Sequence, residues 1–218
     1  MMGQRWKIAT IRGIPLYVSS SWIWIAILFV WSQYAWLSSV SRTRLDIEAG
    51  QTEVLLLSLL SALCFFGAVL VHEASHAAMA RALGLPVSAI TLLFWGGATE
   101  TKAHARGALG EFLVSMVGPG TTLVLAVLFW ALHLTTDGLL SEVVRYLGLL
   151  SFIFAGVNAL PGFPLDGGRM LLAIVWGVTG NRRTAMRAAG YVGIVVGVAL
   201  GVAALYSIAR NTGWWLFL

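Results

Sequence analysis

Three ionisable side chains lie within five consecutive positions at the end of an apolar stretch long enough to cross a membrane. The stretch runs from Val54 to Val71, and the sequence His-Glu-Ala-Ser-His follows it at positions 72–76. Hydrocarbon-spanning helices need about 17–25 mostly apolar residues, and ionisable groups are rare in them because they are costly to bury. The cost of burying three such groups must therefore be offset by other interactions, which favours a functional site inside a membrane-embedded helix.

The spacing of the two histidines predicts a zinc site. In a helix, residues at i and i+4 lie on one face, so His72 and His76 can bind the same ion. Glu73 lies between them, where a carboxylate can activate water as the general base of a metalloprotease. The alternative is a pair of hydrogen-bonded packing histidines beside a glutamate that reaches towards water.

The composition predicts an all-α polytopic membrane protein. Hydrophobic residues make up 59% of the 218 positions and charged residues only 11%, whereas soluble domains carry about 25% charged residues. We expect a single transmembrane domain over residues 1–218, with the first apolar segment retained as a span. The expected spans are about 16–37, 54–82, 109–134 (interrupted at 118–120), 144–179 (broken near 161–168) and 188–209, with a sixth beginning at 213–218 and cut short by the end of the chain.

A short β segment is expected close to the His pair. Residues Val87–Trp95 are rich in β-branched and aromatic side chains, and Gly96 and Gly97 follow, which is typical of a strand and a turn. Unpaired strand edges are not tolerated in lipid unless they line a protein or water cavity. We therefore predict a re-entrant or interfacial segment near the site.

The basic residues are distributed as the positive-inside rule requires. With the N-terminus placed in the cytoplasm, ten of the fourteen Lys and Arg residues fall on the cytoplasmic side. The excess of five positive charges is thus explained by the orientation of the chain in the membrane, and we expect no nucleic-acid partner.

A catalytic zinc usually has three protein ligands and one open position, so a third ligand is needed. Asp166 is the candidate within the broken membrane helix, while Glu100 and Glu111 lie in or beside the polar segment before the third span. Asp166 also fits a turn residue that caps the broken helix together with Gly167. The residues themselves leave these alternatives open.

Two motifs together resemble a known family. The sequence H-E-x-x-H in one span, with N-x-x-P-x-x-P-x-D-G-G at 158–168 in a later one, is similar to the site-2 protease family of intramembrane zinc metalloproteases. The Arg-Gly-Ile-Pro-Leu sequence at 12–16, the Phe-Trp-Gly-Gly sequence at 94–97 and Gly118-Pro119 also resemble that family.

The resemblance implies residue roles. It makes His72, His76 and Asp166 the ligands of one Zn²⁺ and Glu73 the catalytic base. Asn158 would bind substrate or stabilise the transition state. The family pattern also implies that residues 90–97 form an edge strand for unfolded substrate, which assigns substrate binding to Phe94, Trp95, Gly96 and Gly97.

The expected function is zinc-dependent cleavage of single-pass transmembrane proteins by metal-activated water, in regulated intramembrane proteolysis. The active site would lie within the lipid bilayer of the cell membrane, towards its cytoplasmic side. Two alternatives use the same residues. One is a membrane zinc transporter or sensor that binds the ion reversibly, and the other is a non-catalytic scaffold with the same fold.

Overall fold

The computed structural model describes residues 5–93, 96–101 and 107–210. Its helices and strands follow in the order β1 (Arg5–Ile11), β2 (Ile14–Ser19), α1 (Ser20–Thr43), α2 (Gln51–Ala82), β3 (Val87–Leu93), β4 (Gly96–Thr101), α3 (Ala108–His133), α4 (Gly138–Asn158), α5 (Asp166–Thr179) and α6 (Arg182–Ala209). The predicted all-α fold with a small β segment is confirmed.

Five of the described helices are long and apolar enough to cross a membrane. They are α1, α2, α3, α4 and α6, with lengths from 21 to 32 residues. Large apolar side chains are exposed along them, for example Trp24, Trp31 and Val198. Exposed apolar surface on this scale is unusual for a soluble monomer, so the chain is a multi-pass membrane protein. The predicted start of a sixth span at 213–218 lies outside the described residues.

The chain forms two compact units. The first contains residues 1–104 and 117–155, and the second contains residues 105–116 and 156–218.

A four-stranded sheet in the first unit has the order β1-β2-β3-β4. β1 and β2 form an antiparallel hairpin whose two turn residues, Arg12 and Gly13, both have positive φ. Such a turn matches the twist of the flanking strands, and Arg81 of α2 donates a hydrogen bond of 2.7 Å to the Arg12 carbonyl. β2 is parallel to β3, and β3 is antiparallel to β4.

The sheet corrects two predictions. Leu16, expected at the start of the first span, lies in β2, and α1 begins at Ser20. Ile90 does not lie on an edge strand, because β3 is paired on both sides; the terminal strand on that side is β4, which begins at Gly96. Apolar residues 14–18 pair with β3 as a strand, and this long-range partner is not visible in local hydropathy.

Helices α1, α2 and α4 share a buried apolar cluster in the first unit. Its members are Leu37, Val54, Leu139, Val143 and Leu147. Farther along the same helices, Ser61 donates a buried hydrogen bond of 3.2 Å to Gln33 Oε1. Polar bonds of this kind between helices contribute about 0.5–2 kcal/mol each in membranes.

The interruption expected within the third span is wrong, whereas the break in the fourth is confirmed. α3 continues through Pro119, which agrees with the tolerance of membrane helices for proline. α4 ends at Asn158 and α5 begins at Asp166, so the two prolines and the glycine between them belong to a connecting segment.

Gly167 and Gly168 allow that segment to pack against the first turn of α5. A Cβ on Gly167 would lie 2.2 Å from the carbonyl oxygens of Ala159 and Leu160, and one on Gly168 would lie 2.5 Å from the carbonyl carbon of Gly162. These contacts are far shorter than any real Cβ makes. The paired glycines after Asp166 are therefore a steric requirement of this loop.

A buried ion pair joins α3 to α5 in the second unit. Glu111, in the first turn of α3, is 3% exposed, and its Oε1 accepts a hydrogen bond of 3.0 Å from Arg169 Nε. Within the described residues its Oε2 has no hydrogen-bond partner. Glu111, a candidate third zinc ligand from sequence, is thus a structural partner of Arg169.

Replacing Arg169 with alanine is expected to destabilise the protein by about 1–3 kcal/mol, because a buried carboxylate loses its charged partner. Thermal unfolding in detergent measures the change. Arg187→Ala, which removes an exposed arginine, is the control and is expected to leave the midpoint unchanged. The double variant Glu111→Leu/Arg169→Leu should regain most of the loss, and a midpoint as low as that of Arg169→Ala would contradict the role of the ion pair.

Candidate metal centre

His72 and His76 point towards each other from one face of α2. Their Nε2 atoms lie 3.2 Å apart, and the two side chains are 2% and 5% exposed. Two nitrogens bound to one tetrahedral zinc at about 2.0–2.1 Å are separated by roughly 3.3–3.4 Å. The observed separation therefore fits a shared zinc ion.

A hydrogen-bond chain selects the tautomer of His72. Thr122 of α3 donates its hydroxyl proton to the Gly118 carbonyl at 3.0 Å, and the same hydroxyl lies 2.8 Å from His72 Nδ1. Because that proton is already used, Thr122 accepts from Nδ1–H of His72. The Nε2 atom then carries the lone pair that metal binding requires, as in other sites where a second group orients the ligand.

Gly118 leaves room for the two imidazoles. A Cβ at this position would lie 2.2 Å from His76 Nε2 and 2.8 Å from His72 Nε2. The missing side chain therefore faces the nitrogens that would bind the ion. By contrast, a Cβ on Gly120 of the same helix would meet nothing within 4 Å. Gly118 is thus a steric requirement of the histidine pair.

Asp166 is the third possible ligand. It is the first residue of α5 and is half-buried. Two neutral imidazoles and one carboxylate are the donor set of several catalytic zinc sites, so the residues present fit zinc.

The start of α5 gives little support to the alternative that Asp166 is a turn residue capping the helix. The N-cap of α5 is Leu165, which makes no side-chain cap, and Asp166 is the first helical residue. A residue at that position does not cap the helix through its side chain in the usual way.

Glu73 lies one residue after His72 and is 6% exposed. Its Oε2 and its backbone carbonyl oxygen both accept from the Thr99 hydroxyl of β4, at 2.9 and 3.0 Å. The carboxylate is therefore held next to the histidine pair by a bond from the sheet.

The other predicted site residues lie at the end of α4, at the start of β4 or outside the described residues. Asn158 is the last residue of α4 and is half-buried. Gly96 and Gly97 begin β4, where they pair with Leu93 and Leu92. Phe94 and Trp95 lie outside the described residues.

Three residues near the site were not identified from the sequence as functional groups. No local sequence pattern identifies Thr99 or Thr122. Thr99 contacts a residue 26 positions away, and Thr122 contacts one 50 positions away. Gly118 was noted only in the expected interruption of the third span and as part of a resemblance, and its steric role depends on the neighbouring helix.

Comparison with known proteins shows what the chain is similar to. The family model described as peptidase family M50 matches residues 133–204. A zinc metalloprotease of Synechocystis sp. is 31% identical over all of this chain and 57% of its own length. The zinc metalloprotease Rip3 of Mycobacterium tuberculosis is 33% identical over 71% of this chain and 42% of its own length. The chain thus spans about half the length of these curated relatives.

A solved structure shares the fold. The site-2 protease from Methanocaldococcus jannaschii superposes with a TM-score of 0.62 and 21% identity, over 96% of this chain and 87% of that one. The residues that the family model matches include the motif at 158–168. On this evidence residues 133–204 match peptidase family M50, and the chain is similar in sequence to two proteins named zinc metalloproteases and in fold to a site-2 protease.

Proposed function

We propose that the chain is a zinc-dependent endopeptidase that cleaves transmembrane segments of single-pass membrane proteins. The observation that carries this proposal is a pair of buried imidazoles whose Nε2 atoms lie 3.2 Å apart, with a buried carboxylate, Glu73, one residue along the same helix. The described residues of the chain contain five helices that are long and apolar enough to cross a membrane, which supports a substrate that also lies in the membrane.

His72, His76 and Asp166 would hold the ion in this proposal. Zinc in such a site acts as a Lewis acid that polarises a peptide carbonyl and activates water. The relatives named zinc metalloproteases support zinc over other divalent ions.

Glu73 would move the proton during hydrolysis. It accepts a proton from the water whose oxygen attacks the carbonyl carbon, and it returns that proton to the amide nitrogen as the C–N bond breaks. The products are a carboxylic acid and an amine. Burial keeps bulk water away from the carboxylate, so the exchanged proton is not lost to solvent.

The substrate would bind in an extended form along β4. A peptide bond inside a helix is hydrogen-bonded and shielded, so the substrate helix must unwind locally before it can be cut. Pairing with a terminal strand replaces the lost helical hydrogen bonds, and β4 is one of the two terminal strands of the sheet in the described residues, the other being β1. Gly96 and Gly97 of β4 would contact the substrate backbone, as would Phe94 and Trp95. Asn158 would bind substrate or stabilise the transition state.

The orientation in the membrane follows from charge. Ten of the fourteen basic residues lie on the side that holds the N-terminus if the spans alternate, which places that side in the cytoplasm. Cleavage near that side would release a cytoplasmic fragment, as expected for regulated intramembrane proteolysis.

The direct test incubates the purified protein and a single-pass membrane substrate in liposomes and identifies the fragments by mass spectrometry. We expect one or a few cuts inside the apolar segment of the substrate, inhibited by a zinc chelator and restored by zinc. Cleavage that persists without metal, or uptake of zinc into liposomes without any peptidase activity, would refute the proposal.

Replacing Asp166 with alanine is expected to lower the bound zinc from about one per chain to a small fraction of that value, because the site loses one of three protein ligands. Elemental analysis of the purified variant measures it. Asp137→Ala, which removes an exposed aspartate in the α3–α4 connection, is the control and should retain zinc. A full zinc content in Asp166→Ala would rule out Asp166 as a ligand.

A further inference from the structure

The hydroxyl of Thr99 in β4 contacts Glu73, the residue to which we assign the proton transfer. Thr99 Oγ1 lies 2.9 Å from Glu73 Oε2 and 3.0 Å from the Glu73 backbone oxygen. An ionised carboxylate and a carbonyl can only accept hydrogen bonds, so Thr99 is the donor. A bond to an ionised acceptor is shorter and stronger than one between neutral groups.

The strand holds Thr99 in this position. Thr99 pairs with Ile90 of β3, and residues directly opposite each other project from the same face of a sheet. Ile90 is 2% exposed and belongs to a buried cluster that includes Val69 and Ala77 of α2. That face of the sheet therefore packs on α2, and the hydroxyl reaches Glu73 from a fixed strand.

We propose that Thr99 is a positioning residue for Glu73, whose carboxylate is oriented by the Thr99 hydroxyl. Because Thr99 lies in β4, the strand along which the substrate would bind also orients the catalytic base. The inference rests on the proposed function. With Oε2 bound to Thr99, the carboxylate of Glu73 is held within hydrogen-bond distance of β4. An extended substrate along β4 is then aligned on the same element that aligns the base.

The primary test compares Thr99→Val with Thr99→Ser in the full chain, with zinc bound. Valine keeps the size and β-branching of threonine but cannot donate, whereas serine keeps the donor and loses only the methyl group. We expect kcat to fall about 10- to 100-fold in Thr99→Val, the usual cost of removing an orienting hydrogen bond around a metal site. KM and the zinc content should stay within about twofold of the wild type, and Thr99→Ser should recover most of kcat.

A matched control is available on α3. Thr121 donates its hydroxyl to the Val117 carbonyl of its own helix at 2.7 Å, so Thr121→Val makes the same chemical change away from Glu73. We expect wild-type kcat in this variant. Thermal unfolding in detergent shows whether each variant folds, and if valine is not tolerated in β4, the comparison of Thr99→Ala with Thr99→Ser replaces it.

A double-variant cycle separates positioning from packing. In a Glu73→Gln background the base is already absent, so adding Thr99→Val should change the residual activity by less than about twofold. A further loss as large as that seen with Glu73 present would mean that Thr99 acts by another route, and would overturn the proposal.

Two other results would also overturn it. One is a kcat in Thr99→Val within about twofold of the wild type, and the other is a Thr99→Ser variant as impaired as Thr99→Val. These outcomes differ from a failure of the proposed function, because in that case the wild type itself would not cleave the membrane substrate. A cleaving wild type with an unimpaired Thr99→Val would reject only the positioning role.

Discussion

Replacing Glu73 with glutamine is expected to reduce cleavage of a membrane substrate by about 100- to 10,000-fold, the usual contribution of a general base. Glutamine has the size of glutamate, and its amide oxygen can still accept the Thr99 hydroxyl, so the fold and the zinc site should persist. The amide cannot take a proton from water. Single-turnover cleavage in liposomes, together with elemental analysis of the same sample, measures both effects.

The control for this prediction lies on the same helix. Glu53→Gln alters an exposed glutamate in the first turn of α2 and should leave activity unchanged. A Glu73→Gln variant with full activity would remove Glu73 from the mechanism. A variant without zinc would instead show that Glu73 supports the ion, which would contradict its assignment as a base.

Replacing Gly118 with alanine is expected to abolish both zinc binding and activity. The added methyl group would lie 2.2 Å from His76 Nε2 and 2.8 Å from His72 Nε2. The Cβ atoms of both histidines are fixed on α2, so the rings can avoid the methyl group only by rotating about their side-chain bonds. After such a rotation the Nε2 lone pairs no longer point at a common ion. Alanine is otherwise favourable in a helix by about 1 kcal/mol relative to glycine, so the variant should still fold.

Gly120→Ala is the matched control, because its methyl group would meet nothing within 4 Å. It makes the same change two residues away on the same helix. We expect zinc content and activity of Gly120→Ala to equal those of the wild type. Wild-type zinc content in Gly118→Ala would show that the histidines do not bind the ion in the arrangement described.

The sequence predicted the helices well because their cause is local. A run of about twenty apolar residues can satisfy its backbone in a membrane only as a helix or a closed barrel, so hydropathy located the second and third spans closely. α4 and α6, which begin at Gly138 and Arg182, start earlier than the expected positions 144 and 188. The first span began later than expected. Residues 14–18 are as apolar as a helix start, yet they form β2 beside β3.

The sheet and its edge could not be predicted fully, since strand order depends on partners distant in the chain. β2 and β3 pair across about 70 residues through Leu16 and Ile90. This pairing places β3 inside the sheet, so that the terminal described strands are β1 and β4. The composition of residues 87–97 indicated one strand followed by a turn at Gly96 and Gly97. The turn is wrong, because both glycines lie in β4, and the composition carried no information on which strand would be the edge.

By itself, the sequence determined a membrane-embedded helix with two histidines on one face and a glutamate between them, because a 3.6-residue period fixes that geometry within a single helix. It also indicated Asp166 as a candidate ligand but left its role open. Only the tertiary structure decided which groups surround the motif: Thr122 on His72, Gly118 against both imidazoles and Thr99 on Glu73. These contacts join residues 26 to 50 positions apart, and such contacts depend on how helices and strands pack rather than on any local pattern.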